Sequence, residues 1–236
     1  AARTAWTNTM LAWEGLAAVA VGPLVERRSL RSIDFQPLRP ELLQRMLARS
    51  PRTLDDMVRV GTPAKGLPAI EHLLWVAPVA PGTPACTYAM LAAQEVQREA
   101  LALNEAFNTL AAQPPEGEAA GVAFGEFVNQ WLGGLERLRW ASLEKPLREA
   151  ATRQAPPGFA RMSSGQTGAA WRAHWAALRA MALQGAGPAP EPATAAVPIE
   201  TYLRGRGQLA LAEQWRQGVL QADAALQAAT PANGVL

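Results

Sequence analysis

Nowhere along these 236 residues do apolar and polar side chains alternate with the period of two that a half-buried strand requires. Apolar residues return every three or four positions instead, and proline and glycine cut the chain into helix-length pieces. Trp6, Met10, Trp13 and Ala17 mark one face of a first helix over residues 3–21, which Gly22-Pro23 interrupts. Residues 24–39 read as an irregular connection, a place where charged side chains are held against a rigid scaffold. Pro40 opens a helix to about Ala48, and Thr53 caps another reaching Arg59. A long helix is predicted over 85–112, a second over 118–143, a third from Ser164 to about Gln184, and a last one over 208–229. Residues 185–198, rich in alanine, proline and glycine, read as a mobile linker. The fold class is therefore all-α, built as two packed antiparallel helical bundles, residues 1–112 and 113–236.

Composition narrows the function by exclusion. Apolar residues make up 49% of the chain, enough for a full core and too many for general disorder. A net charge of +2, with the charges scattered, gives no footprint for nucleic acid despite a pI near 9.1. No apolar run approaches the roughly 20 residues of a membrane span. Cys86 is the single cysteine, so no intrachain disulfide can form.

One segment concentrates the chemical interest. In Lys65-Gly66-Leu67-Pro68-Ala69-Ile70-Glu71-His72-Leu73-Leu74-Trp75, a lone carboxylate sits within a helix that is apolar nearly all round. Pro68 is expected at the first helical position, which puts Glu71 in the first turn, where the helix dipole favours a negative charge. A buried acid needs a partner, and Arg27 or another arginine of the 24–39 segment is the expected one. The plainer reading makes Glu71 half of an ion pair that pins this helix to the neighbouring loop.

This segment resembles the signature of the imelysin family, in which Gly-x-His-x-x-Glu is followed by an aromatic residue and a Leu-Leu pair. Gly66, Glu71, Leu73 and Leu74 match, while Pro68 stands in place of the histidine; Gly-Leu-Pro-Ala-x-Glu is a variant found in imelysin-like proteins. Trp6 and Trp13 followed by Gly22-Pro23, Arg27, Asp34 and Pro37 are similar to the family's first block. Cys86 with Tyr88, the run Leu143 to Leu147 and Ser163 to Thr167 resemble later ones, so the likeness covers about residues 1–184. The resemblance implies two helical bundles with a cleft between them, an envelope location in the periplasm or anchored at the outer membrane, and a preceding helix with a secretion or lipoprotein signal. It also implies either a metal-dependent peptidase or a component of iron uptake.

The residues themselves weigh between these. Histidine and glutamate three apart on a helix share a face and can grip one cation, but Pro68 cannot coordinate. His72, adjacent to Glu71, lies about 100° round the helix from it and cannot chelate with it. His174 reads as a packed or surface helix residue. Asp34 is either a second cleft acid or the cap of a turn, Ser164 and Thr167 either line or cap a helix start, and Trp13, like Trp6, Trp131 and Trp140, is either core or ligand platform. The candidate ligand-binding set is thus Glu71, Arg27, Asp34, Ser164, Trp13 and His72, with Glu71 the one candidate metal ligand and iron or another divalent cation the candidate cofactor. The expected activity is binding of a metal ion or small ligand, in company with envelope iron-transport components. A metallopeptidase and a structural partner-binding bundle are its rivals.

Overall fold

The computed structural model describes residues 1–184 and 197–229, so most of the expected 185–198 linker lies outside the described residues. Among them there is no strand. The chain forms α1 (Ala2–Ala17), α2 (Pro23–Glu26), α3 (Ser29–Ile33), α4 (Pro40–Ala48), α5 (Leu54–Val58), α6 (Gly66–Glu71) and α7 (Pro84–Ala112). It continues through α8 (Gly117–Glu136), α9 (Lys145–Arg153), α10 (Thr167–Ala182), α11 (Ile199–Gly205) and α12 (Leu209–Ala229).

Two hydrophobic clusters organise these helices. The first is built from α1 to α7 around Met10, Leu24, Leu43, Met57, Leu67 and Tyr88, with Ala170 reaching in from α10. The second gathers Trp131 and Leu138 with Trp171, Trp175 and Leu178 of α10 and Val219 of α12. Ala18 and Val19, directly after α1, belong to this second cluster. The two cores therefore meet where α1 runs along α10.

Buried polar groups lock that junction. Gly134 of α8 lies so close to the end of α1 that a Cβ there would fall 2.0 Å from the Ala18 carbonyl oxygen. Arg137 donates to the carbonyls of Ala17 and Ala18, which α1 leaves without intrahelical partners. Trp131 Nε1 donates to the Leu178 carbonyl at 2.8 Å, satisfying a donor that would otherwise be orphaned in the core.

Several elements depart from the sequence expectation. The 24–39 segment holds two short helices, α2 and α3. The helix expected to stop near residue 143 passes through a π-helical stretch, Arg137–Glu144, and continues as α9 to Arg153. Proline inside a helix removes a hydrogen bond and crowds the preceding turn, and the wider turn just before Pro146 accommodates it. Helix α10 begins at Thr167, three residues after Ser164, and α11 had no periodic signal in its short sequence.

Candidate functional site

Glu71 is 6% exposed and ends α6 rather than starting it. Helix α6 begins at Gly66 because Gly66 adopts φ 71° and because a Cβ there would lie 2.3 Å from the Ile33 carbonyl oxygen. Only glycine permits that approach of α6 to the end of α3. Pro68 then falls inside the first turn, where its missing N–H costs nothing. Glu71 is consequently beyond the reach of the helix dipole, which acts within the first turn. From His72 to Val76 the helix widens to π-type, closed by the Ala77 N–H donating to the His72 carbonyl at 2.9 Å.

The partner of Glu71 comes from the far end of the chain. Ser164 donates its backbone N–H at 3.0 Å and its hydroxyl at 2.7 Å to Glu71 Oε1. Two such charge-assisted bonds are each stronger than their neutral counterparts. Ser164 is placed by a tight turn before α10: Thr167 Oγ1 donates to the Ala160 carbonyl at 2.7 Å, and the Gln166 N–H to the Arg161 carbonyl at 2.9 Å. Arg161, in the same turn, adopts φ 65°, a conformation costing an L-residue about 1–3 kcal/mol unless its surroundings enforce it.

Arg161 is the buried cation of this junction, at 2% exposure. Its Nη2 donates to Glu14 Oε1 of α1 at 3.1 Å and to Asp34 Oδ2 beyond α3 at 2.5 Å. The guanidinium carbon sits 5.7 Å from the centre of the Trp6 ring. His174 of α10 places Nδ1 3.9 Å from Glu14 Oε2 and Nε2 3.1 Å from the Gly134 carbonyl. Nε and Nη1 of Arg161 are buried and have no hydrogen-bond partner.

One arginine serving two acids cannot neutralise both. Burial pushes the Glu14 carboxyl up, but His174 and Arg161 together hold it below its ordinary value. Burial also pushes Asp34 up, the Glu14 charge adds to this, and Arg161 offsets it only in part, so Asp34 stays above its ordinary value. Asp34 is thus the acid that retains its proton more readily. Burial opposes the charge on Arg161, yet Asp34 and Glu14 keep its pKa raised.

Of the residues proposed from sequence, Glu71, Asp34 and Ser164 converge on this junction. Arg27 does not: it makes a two-pronged pair with Glu99, Nε to Oε1 at 3.0 Å and Nη2 to Oε2 at 2.8 Å, with Ser29 Oγ donating to the same carboxylate. The expected Arg27–Glu71 pairing is therefore replaced by the two hydrogen bonds from Ser164. Trp13 is buried in the first core. His72 is half-buried, and burial lowers its pKa against the opposing pull of Glu71. Glu14 and Arg161 escaped the sequence reading, and His174, read there as a packed or surface helix residue, is packed against Glu14. Glu14 carried a usable signal, being the lone acid among the tryptophans of the first helix, whereas nothing local distinguishes Arg161.

A metal ion does not fit this set. Among the described residues, no three His, Cys, Asp or Glu side chains are grouped to hold one. Glu71 Oε1 is taken by Ser164, and Arg161 stands between Glu14 and Asp34, where a cation would have to displace it.

The fold and this junction define a helical protein whose two cores are joined through a buried charged cluster next to a Gly-Leu-Pro-Ala-x-Glu element. Residues 1–234 match the family model described as imelysin, Peptidase_M75, and the chain belongs to the imelysin family. Its fold is similar to the crystal structure of an imelysin-like protein from Psychrobacter arcticum 273-4, with a TM-score of 0.71 at 18% identity, covering 95% of this chain and 68% of that one. No curated protein matches the chain.

Proposed function

We propose that this imelysin-family chain is a non-catalytic binding protein of the cell envelope, serving iron acquisition, with its ligand recognised at the Glu71–Ser164–Arg161 junction. The observation that carries the reading is Arg161: a guanidinium 2% exposed, in a left-handed backbone conformation, with two nitrogens unpartnered. A buried unsatisfied donor costs about 1–3 kcal/mol, and more when charged, so such a group is retained where something else completes it. Its free N–H groups suit oxygen acceptors, and half-buried Ser164 is the edge through which a ligand approaches. The envelope location and the role in iron uptake rest on family resemblance.

Metal-dependent peptidase activity would require three protein ligands, an open coordination position and a base to activate water. The acids here are committed to Ser164 and Arg161, which favours binding over hydrolysis.

Titration calorimetry against ferric, ferrous, zinc and haem ligands, with metal analysis of the purified protein, tests the reading. Haem, whose carboxylates offer oxygen acceptors to Arg161, should bind while the bare metal ions should not, and Glu71→Gln should weaken haem binding at least tenfold. Chelator-sensitive cleavage of casein or insulin chains that disappears in Glu71→Ala overturns it in favour of the peptidase. Absence of binding by any of the four ligands leaves a purely structural bundle as the function.

A further inference from the structure

Five arginines and three acids lie between residues 39 and 59, an excess equal to the net charge of the whole chain. Three of those arginines, Arg49, Arg52 and Arg59, line one hollow of about 280 Å³ beside Ser50 and Asp56, at the turn joining α4 to α5. All three are exposed, and none makes an ion pair or a side-chain hydrogen bond among the described residues. Several other exposed arginines, Arg139, Arg148, Arg153, Arg204 and Arg216, each pair with a glutamate.

The one acid in the hollow is turned to another task. Asp56 Oδ2 accepts from the Arg52 N–H at 2.9 Å and from the Thr53 N–H and hydroxyl at 3.0 Å, forming the cap of α5. Those bonds hold its carboxyl below its ordinary value. The hollow therefore carries three positive charges against the single negative charge of Asp56, which also acts on Arg59. Arg49 and Arg59 follow the last residues of α4 and α5, where a helix C-terminus by itself favours a cation. Arg52 lies in the turn before α5 and has no such reason to be basic.

We infer that the Arg49–Arg52–Arg59 hollow is a second binding site, for a ligand bearing phosphate groups. Three guanidinium forks around one concavity match the oxygens of a phosphate or pyrophosphate by paired N–H donors, a geometry lysine cannot supply. The volume suits a small phosphoanion or a single lipid headgroup rather than a folded partner. The site shares no residue with the Glu71 junction and stands independently of the function proposed there.

Calorimetric titration of the full chain with inorganic pyrophosphate at low salt, beside co-sedimentation with phosphatidylglycerol vesicles, tests the inference and separates its two sources. Binding of pyrophosphate should be one to one and should weaken as salt rises. Arg52→Ala should cost at least tenfold, Arg52→Ala with Arg59→Ala should abolish it, and Glu71→Gln should leave it unchanged. Vesicle binding without pyrophosphate binding, lost in the same double variant, assigns the phosphate to a lipid headgroup. These side chains are exposed, so the variants should melt within a few degrees of wild type. Absence of both interactions, or binding that survives the double variant, overturns the site.

Discussion

Ser164 gives both its backbone N–H and its hydroxyl to a single oxygen of Glu71, a residue 93 positions earlier in the chain. The two donors bring the turn before α10 onto the end of α6, and with it the guanidinium of Arg161. Glu71 is held by hydrogen bonds donated across the junction of two cores, not by its place in its own helix.

Replacing Ser164 by alanine leaves one N–H on a carboxylate that remains buried. Losing one such partner costs about 1–3 kcal/mol. Urea unfolding should show the midpoint falling with little change in slope. A midpoint equal to wild type would mean that water replaces the hydroxyl at no cost.

Arg161→Met strips two half-buried acids, Glu14 and Asp34, of their shared counter-charge. Breaking a buried pair by removing one partner typically costs about 3–5 kcal/mol. Adding Glu14→Gln and Asp34→Asn to Arg161→Met should recover part of that loss. Failure of the triple variant to recover any would show that Arg161 matters through packing on Trp6 rather than through charge.

The two acids should leave opposite marks on stability against pH. Asp34 is raised above its ordinary value of 3.8, so the folded state binds its proton more tightly, and its contribution is full below 3.8 and lost as pH rises through the folded value. Glu14 is lowered from 4.5, so its contribution is present above 4.5 and lost as pH falls through the folded value. The stability of wild type relative to Asp34→Asn should therefore decline as pH rises from 3.8, while that relative to Glu14→Gln should decline as pH falls from 4.5. Denaturant titrations across this range read both slopes, and equal signs would refute the division of charge between them.

Gly66→Ala forces a side chain into a left-handed backbone position and onto the Ile33 carbonyl oxygen. Overpacking costs about 1–3 kcal/mol, and backbone strain adds to it. Thermal unfolding should drop by several degrees. Gly15→Ala, where nothing lies within 4 Å of the new Cβ, serves as the control and should be neutral or slightly stabilising.

Helix content and the main breaks were written in the sequence, because apolar periodicity, proline and capping threonine act within a few residues. The long helix at 84–112 and the capped helix after Thr53 were legible for that reason. Glu71 stood out as a lone acid in an apolar segment, and Asp34 and Ser164 as polar residues in connecting segments. What covers Glu71 was not legible, since Ser164 reaches it only once α10 has packed along α1. Arg27 was the nearer arginine in sequence, yet it is held by Glu99, and sequence proximity carries no information about which of two arginines a folded acid meets. Local chemistry fixed the helices and the acid to watch. Only tertiary packing decided its partners, because burial and charge pairing depend on distances between segments that the chain order does not contain.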